Sequence, residues 1–169
     1  MAADCATRER ILGLVPQQPP FRFVDEILEL DEEHVLGTYR FRENEYFYQG
    51  HFPGVPITPG VILVETMAQT GVVAFGLYLA EQDAKIDRLL EGVTLFSLAD
   101  QVEFAGVVRP GEQVVISGRK VYFRNGQLKV ACSMVRPDGE VVCSGTLAGM
   151  AISRAKFAET KNDREEAKG

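Results

Sequence analysis

Between Gly60 and Ala80 the mixing of apolar and polar positions seen along most of this chain breaks down. Glu65 is the sole charged residue there, and apolar positions surround the helical wheel on all sides. A helix that is apolar all round must be buried. Pro59 suits its first turn, where the missing N–H does no harm. The pattern carries the helix to about Ala80 and on into the polar stretch EQDAKIDRL (81–89). Gly71 and Gly76 cost helix propensity, roughly 1 kcal/mol each. They make sense if another backbone packs close against them.

Ahead of that span, DCATRERILGL (4–14) predicts a short amphipathic helix ended by Pro16, and QQPP (17–20) forces a turn. FRFVDEILEL (21–30) and HVLGTYRF (34–41) predict strands joined by an acidic turn, with Val35, Gly37, Tyr39 and Phe41 on one face. Pro53, Pro56, Pro59, Gly50 and Gly54 mark residues 44–59 as a loop. Segments 93–98, 101–108, 113–124, 127–135 and 140–152 predict further strands. Asn125-Gly126 signals a two-residue hairpin, and Pro137-Asp138-Gly139 another turn.

The predicted class is α+β: six or seven antiparallel strands curled around one long helix. Such a sheet covers one side of the helix, and edge-to-edge pairing with a second copy covers more, which favours a dimer. We expect one domain over residues 1–154 and a polar, disordered tail over 155–169. The sequence has no internal repeat.

Composition narrows the function classes. The 169 residues are 46% hydrophobic and 25% charged, as in ordinary globular proteins, and the net charge of -6 argues against general nucleic-acid binding. The central span is long enough for a membrane crossing. It also holds Gln69, threonines and glycines without flanking basic clusters, so a buried helix and no membrane association is the expectation. Cys5, Cys132 and Cys143 are too few and scattered for a disulfide framework, and MAADCATRER is too polar for a signal peptide. Buried free thiols at 132 and 143 and a cytoplasmic location follow. Two histidines and no CxxC make a structural zinc site improbable, and no metal or other cofactor is expected.

The candidate chemistry lies in QGHFPGVPITPGVILVETMAQT (49–70). A carboxyl inside an apolar helix is costly unless partnered, for instance by Gln69 one turn later. Burial there raises its pKa and keeps it protonated, able to give a proton near neutral pH. His51 is a candidate base on a loop stiffened by its prolines. Gly60 opens the helix, where free N–H groups stabilise negative charge. Base, acid and oxyanion donor together form a set for β-elimination from an acyl thioester.

GHFPGVPITPGVILVETMAQ resembles the signature of the β-hydroxyacyl-acyl carrier protein dehydratases, the hotdog-fold enzymes of type II fatty acid synthesis. GHFPG, a second proline-glycine pair at the helix start and an acid five residues on carry the likeness. LVPQQPPFRFVDEILEL and VVRPGEQV extend it to residues 8–153. The resemblance implies that His51 takes the Cα proton, Glu65 protonates the β-hydroxyl and the Gly60 N–H polarises the thioester carbonyl. It further implies that His51 and Glu65 of one site come from different subunits of an obligatory homodimer, with hexamers as trimers of dimers. The acyl tunnel would lie along the interface, with Phe52, Val61, Val64 and Phe104 as lining candidates. Glu rather than Asp at position 65 resembles the branch that dehydrates without isomerising.

The implied partner is acyl carrier protein, which brings its substrate on a phosphopantetheine arm. Arg119, Lys120, Arg124, Lys129, Arg154 and Lys156 are candidate docking residues, although strand charges of this kind are ordinarily just solvated. The sequence departs from the family pattern at Gln17-Gln18, where His-Arg is usual, and in VEFAGVVRPGE (102–112) and 93–100. These departures leave room for a specialised acyl pathway. Two alternatives stand beside dehydration: a hotdog thioesterase, and a non-catalytic acyl-thioester-binding protein.

Overall fold

Asp4 caps the first element by accepting a hydrogen bond from the Thr7 N–H at 2.8 Å. The computed structural model, which describes residues 2–83 and 92–153, follows this helix, α1 (Cys5–Leu14), with strands β1 (Glu26–Leu30) and β2 (His34–Arg40). A 3-10 turn at Tyr46–Gln49 interrupts the loop before the central helix. That helix, α2, runs Gly60–Gln82. It is α-helical over Gly60–Ala68 and Phe75–Gln82, around a π-helical segment at Gln69–Ala74. Strands β3 (Gly92–Phe104), β4 (Gln113–Arg124), β5 (Gln127–Val135) and β6 (Val141–Ser153) complete the chain.

The six strands form one antiparallel sheet in the order β1-β2-β4-β5-β6-β3, which wraps α2. Thr66 to Ala80 are all buried, so the apolar span is the core helix of this fold. One face of its first two turns differs from the expectation: Val61 is 76% exposed, and Val64 and Glu65 are only half-buried. The predicted face of β2 is borne out, with Val35 and Phe41 fully buried and Tyr39 nearly so.

Gly71 lies where the helix meets the sheet most tightly. A Cβ there would sit 2.6 Å from Cys132 Sγ, and one on the facing Gly118 would sit 3.1 Å from the Gly71 Cα. Gly76 has no such constraint, because its added Cβ would meet Leu128 at an ordinary 3.6 Å. Cys132 and Cys143 are buried free thiols, as expected, and Cys5 is free and exposed.

Three boundaries differ from the sequence pattern. Residues 21–25 lie outside β1 because Gln69 binds their backbone: the Phe23 N–H donates to its Oε1 at 2.6 Å, and its Nε2 donates to the Phe21 carbonyl at 2.9 Å. The segments expected at 93–98 and 101–108 are one strand through Phe104, carried across its polar middle by irregularities at Phe96/Leu98 and Asp100/Glu103. The chain then leaves the sheet, with the Ala105 and Gly106 N–H groups both donating to the Val142 carbonyl. Pro59 stands as the N-cap residue, one position before the helix. The Asn125-Gly126 hairpin holds, both residues having positive φ as its turn type requires. Residues 84–89, Arg154, Lys156 and the tail 155–169 lie outside the described residues.

Candidate active site

The loop before α2 fixes His51 by its backbone. The His51 N–H donates to the Phe47 carbonyl at 3.0 Å, and the Ile57 N–H donates to the His51 carbonyl at 3.0 Å. The Thr58 N–H reaches the Val108 carbonyl at 2.8 Å, and the Thr58 and Tyr48 hydroxyls share a bond of 2.7 Å. The His51–Phe52 peptide is cis. Within the side chain, Nδ1 lies 3.0 Å from the Ile57 carbonyl oxygen. A carbonyl only accepts, so Nδ1 carries the hydrogen and a neutral ring keeps its lone pair on Nε2. One face of the imidazole is stacked on Phe52, with centroids 4.1 Å apart.

Glu65 lies in the second turn of α2, where Gln69 holds it. Gln69 is fully buried and its orientation is determined, because the Phe23 N–H can only donate and therefore meets the amide oxygen. Both amide hydrogens are then committed, one to the Phe21 carbonyl and one to Glu65 Oε1, each at 2.9 Å. Burial pushes the Glu65 pKa above the ordinary carboxylate range, and the Gln69 hydrogen bond, which favours the ionised form, only partly offsets it.

Glu65 opens into an apolar groove of about 560 Å³ between the start of α2 and β3, lined by Val61, Val64, Phe96, Ala99, Val102 and Phe104. Gly60 lies under the Phe104 ring, where an added Cβ would come within 2.9 Å of Cε1. As the first residue of α2, Gly60 presents an N–H with no intrahelical acceptor. A carboxyl whose pKa burial raises, on an apolar groove bordered by a helix-start N–H, suits an acyl thioester.

Of the anticipated site residues, Glu65, Val61, Val64 and Phe104 share this groove, and Gly60 borders it. Phe52 does not. Its ring, 52% exposed, leans on His51 and lines a separate cavity with Tyr48, Gln49, Pro53 and Pro56. His51 and Glu65 share no cavity and no hydrogen bond within the chain. Phe96, Ala99 and Val102 were missed as lining residues; the alternation in β3 signalled a strand but not which face would meet α2. Among the described residues no group of three or more His, Cys, Asp or Glu side chains is placed to hold a metal ion.

The basic residues are dispersed. Arg119 and Arg124 are exposed on β4, and the Arg124 guanidinium lies 5.2 Å from the centroid of the Tyr122 ring. Lys129 is half-buried on β5, and Lys120 is held in an ion pair with Glu33 at 2.9 Å.

A six-stranded sheet wrapped around one buried helix is the hotdog architecture. Residues 15–146 match the FabA-like domain family, and the chain belongs to that family. It is 39% identical over 141 residues to the 3-hydroxyacyl-acyl-carrier-protein dehydratase FabZ of Caldicellulosiruptor bescii, covering 82% of this chain and 94% of that one. It is 42% identical over 157 residues to the FabZ of Syntrophobacter fumaroxidans, covering 92% and 97%. Among solved structures, the dehydratase heterocomplex ApeI:P from Xenorhabdus doucetiae superposes with a TM-score of 0.71 at 12% identity, covering 90% of this chain and 97% of that chain. The thioesterase HI1161 from Haemophilus influenzae gives 0.53 at 14% identity, covering 76% and 78%. At these identities the structural likeness is one of fold.

Proposed function

We propose that this chain is a 3-hydroxyacyl-acyl carrier protein dehydratase that eliminates water from (3R)-3-hydroxyacyl thioesters to give trans-2-enoyl thioesters in acyl-chain biosynthesis. The observation that carries the reading is Glu65, an acid whose pKa burial raises, lining an apolar groove that the N-terminus of its own helix borders. Relatives named as dehydratases match over more than 80% of this chain.

The mechanism uses side chains already oriented. His51 Nε2 takes a proton from Cα, and the electron pair moves toward the thioester carbonyl, whose oxygen the Gly60 N–H receives. The pair returns to form the Cα–Cβ double bond as the Cβ–O bond breaks. Glu65 gives its proton to the departing hydroxyl, which leaves as water. No cofactor enters these steps. The glutamate at position 65 supports a trans-2 product without isomerisation.

The site requires two chains in this reading. Within one chain His51 and Glu65 are apart, and β3 is an edge strand of 13 residues with Phe96, Leu98 and Phe104 exposed beside it. A long bare edge with apolar side chains invites a second copy. An isologous pair across β3 extends the sheet and brings each chain's His51 to the other's groove. Trimers of such dimers, a cytoplasmic location and carrier docking at Arg119, Arg124 and Lys129 belong to the same proposal. Lys120, engaged with Glu33, is the least available of the basic set.

The test is turnover of 3-hydroxyacyl-carrier-protein substrates of graded chain length, following enoyl absorbance and locating the product double bond. A trans-2-enoyl product supports the proposal. Release of free thiol without enoyl absorbance would overturn it in favour of thioester hydrolysis.

A further inference from the structure

A second, smaller cavity of about 80 Å³ meets the acyl groove at Glu65 and Phe96. Its walls include Val72 and Val73 from α2, Thr94 from β3 and Gln17 from the turn after α1. Gln17 Oε1 is buried and receives no hydrogen bond from any described residue. Buried amide oxygens are almost always paired, so an unpaired one on a residue that shares a cavity with an acid calls for an explanation. Gln69 cannot supply the missing donor, because both its amide hydrogens are already committed to the Phe21 carbonyl and Glu65.

We infer that Gln17 is a positioning residue for Glu65, its amide oxygen turned into the cavity they share so as to hold the carboxyl in its protonated form. An amide oxygen is the negative end of its dipole, and a negative end beside a carboxyl disfavours the carboxylate. It also accepts the acid's hydrogen bond directly, the oxygen being too deeply buried for a water to stand against it. Among the described residues lining either cavity Glu65 is the sole titratable group of its own chain; in the proposed dimer His51 of the second chain also faces it, a contribution common to wild type and both Gln17 variants. Burial acts against the carboxylate and Gln69 acts for it; on this inference Gln17 adds to the effect of burial.

This inference rests on the proposed acid role for its consequence in catalysis, but its test does not. Full-length protein carrying side-chain ¹³C-labelled glutamate is titrated by NMR, with the Glu65 resonance assigned by its loss in Glu65→Gln. Gln17→Leu removes the amide dipole, and the Glu65 midpoint falls by roughly one pH unit. Gln17→Glu places a second carboxyl in the cavity, and the midpoint rises. The alkaline limb of the kcat profile moves with it in both variants, while KM stays within about twofold. Midpoints unmoved, or moved in the same direction by both substitutions, would overturn the inference, since a merely structural role gives no opposed shifts. If Gln17→Leu does not fold, the rise in Gln17→Glu decides alone. A Glu65→Gln protein that still dehydrates substrate would refute the acid role and leave the titration result standing.

Discussion

His51 and Glu65 depend on different neighbours. The histidine is oriented by the backbone, its Nδ1 hydrogen held by the Ile57 carbonyl, and the glutamate by one side chain, Gln69. His51→Ala and Glu65→Gln are each expected to lower kcat by about 10²–10⁴, the usual worth of a positioned base or acid, with cooperative unfolding retained. Steady-state turnover and thermal melts check this together. Because burial raises the Glu65 pKa in the folded state, the folded chain binds more protons than the unfolded chain across that interval. Stability therefore falls as pH rises through it, and the penalty stays in full above it. Glu65→Gln removes the penalty, so its Tm should exceed that of wild type at pH 8 and converge with it as pH falls below the ordinary carboxylate range. A variant that melts lower at pH 8 would contradict the assigned cause. Both residues were legible in the sequence as a lone acid in an apolar run and a histidine on a proline-stiffened loop. The tautomer assigned to His51 was not, because it depends on a carbonyl six residues away.

At the scale of elements, α2 carries both core and site. Its buried length packs on the sheet through Gly71 and Gly118, while its exposed first turn forms the groove. Gly71→Ala places a Cβ 2.6 Å from the buried Cys132 sulfur, and should cost about 1–3 kcal/mol, as overpacking does. Urea unfolding would show it as a lower midpoint at an unchanged slope. Gly76→Ala, where the added Cβ meets only Leu128 at ordinary contact, should be neutral or stabilising. The helix was legible because a span without charges has no face for water. The contrast between its two glycines was not, since it depends on which sheet residue lies opposite. Residues 21–25 also misled, because their apolar alternation reads as strand while a buried glutamine takes their backbone bonds. Gln17 entered the sequence reading only as a departure from a family pattern, and the cavity it shares with Glu65 exists only in three dimensions.

Across the whole molecule, the proposed mechanism divides each site between two chains. The His51 loop contributes no residue to the lining of the Glu65 groove, and among the described residues β3 is an edge strand beside that groove. The hydrophobic pattern already favoured pairing, because one curled sheet covers only part of an all-apolar helix. The central claim is that His51 of one chain works with Glu65 of another. It is tested most directly by unfolding His51→Ala and Glu65→Ala proteins together, refolding the equimolar mixture and measuring enoyl formation. Each mixed dimer then holds one site with both functional residues, so with random pairing roughly a quarter of wild-type turnover should return from two inactive parents. Turnover no higher than that of either parent alone, with mixed dimers demonstrably formed, would contradict the account.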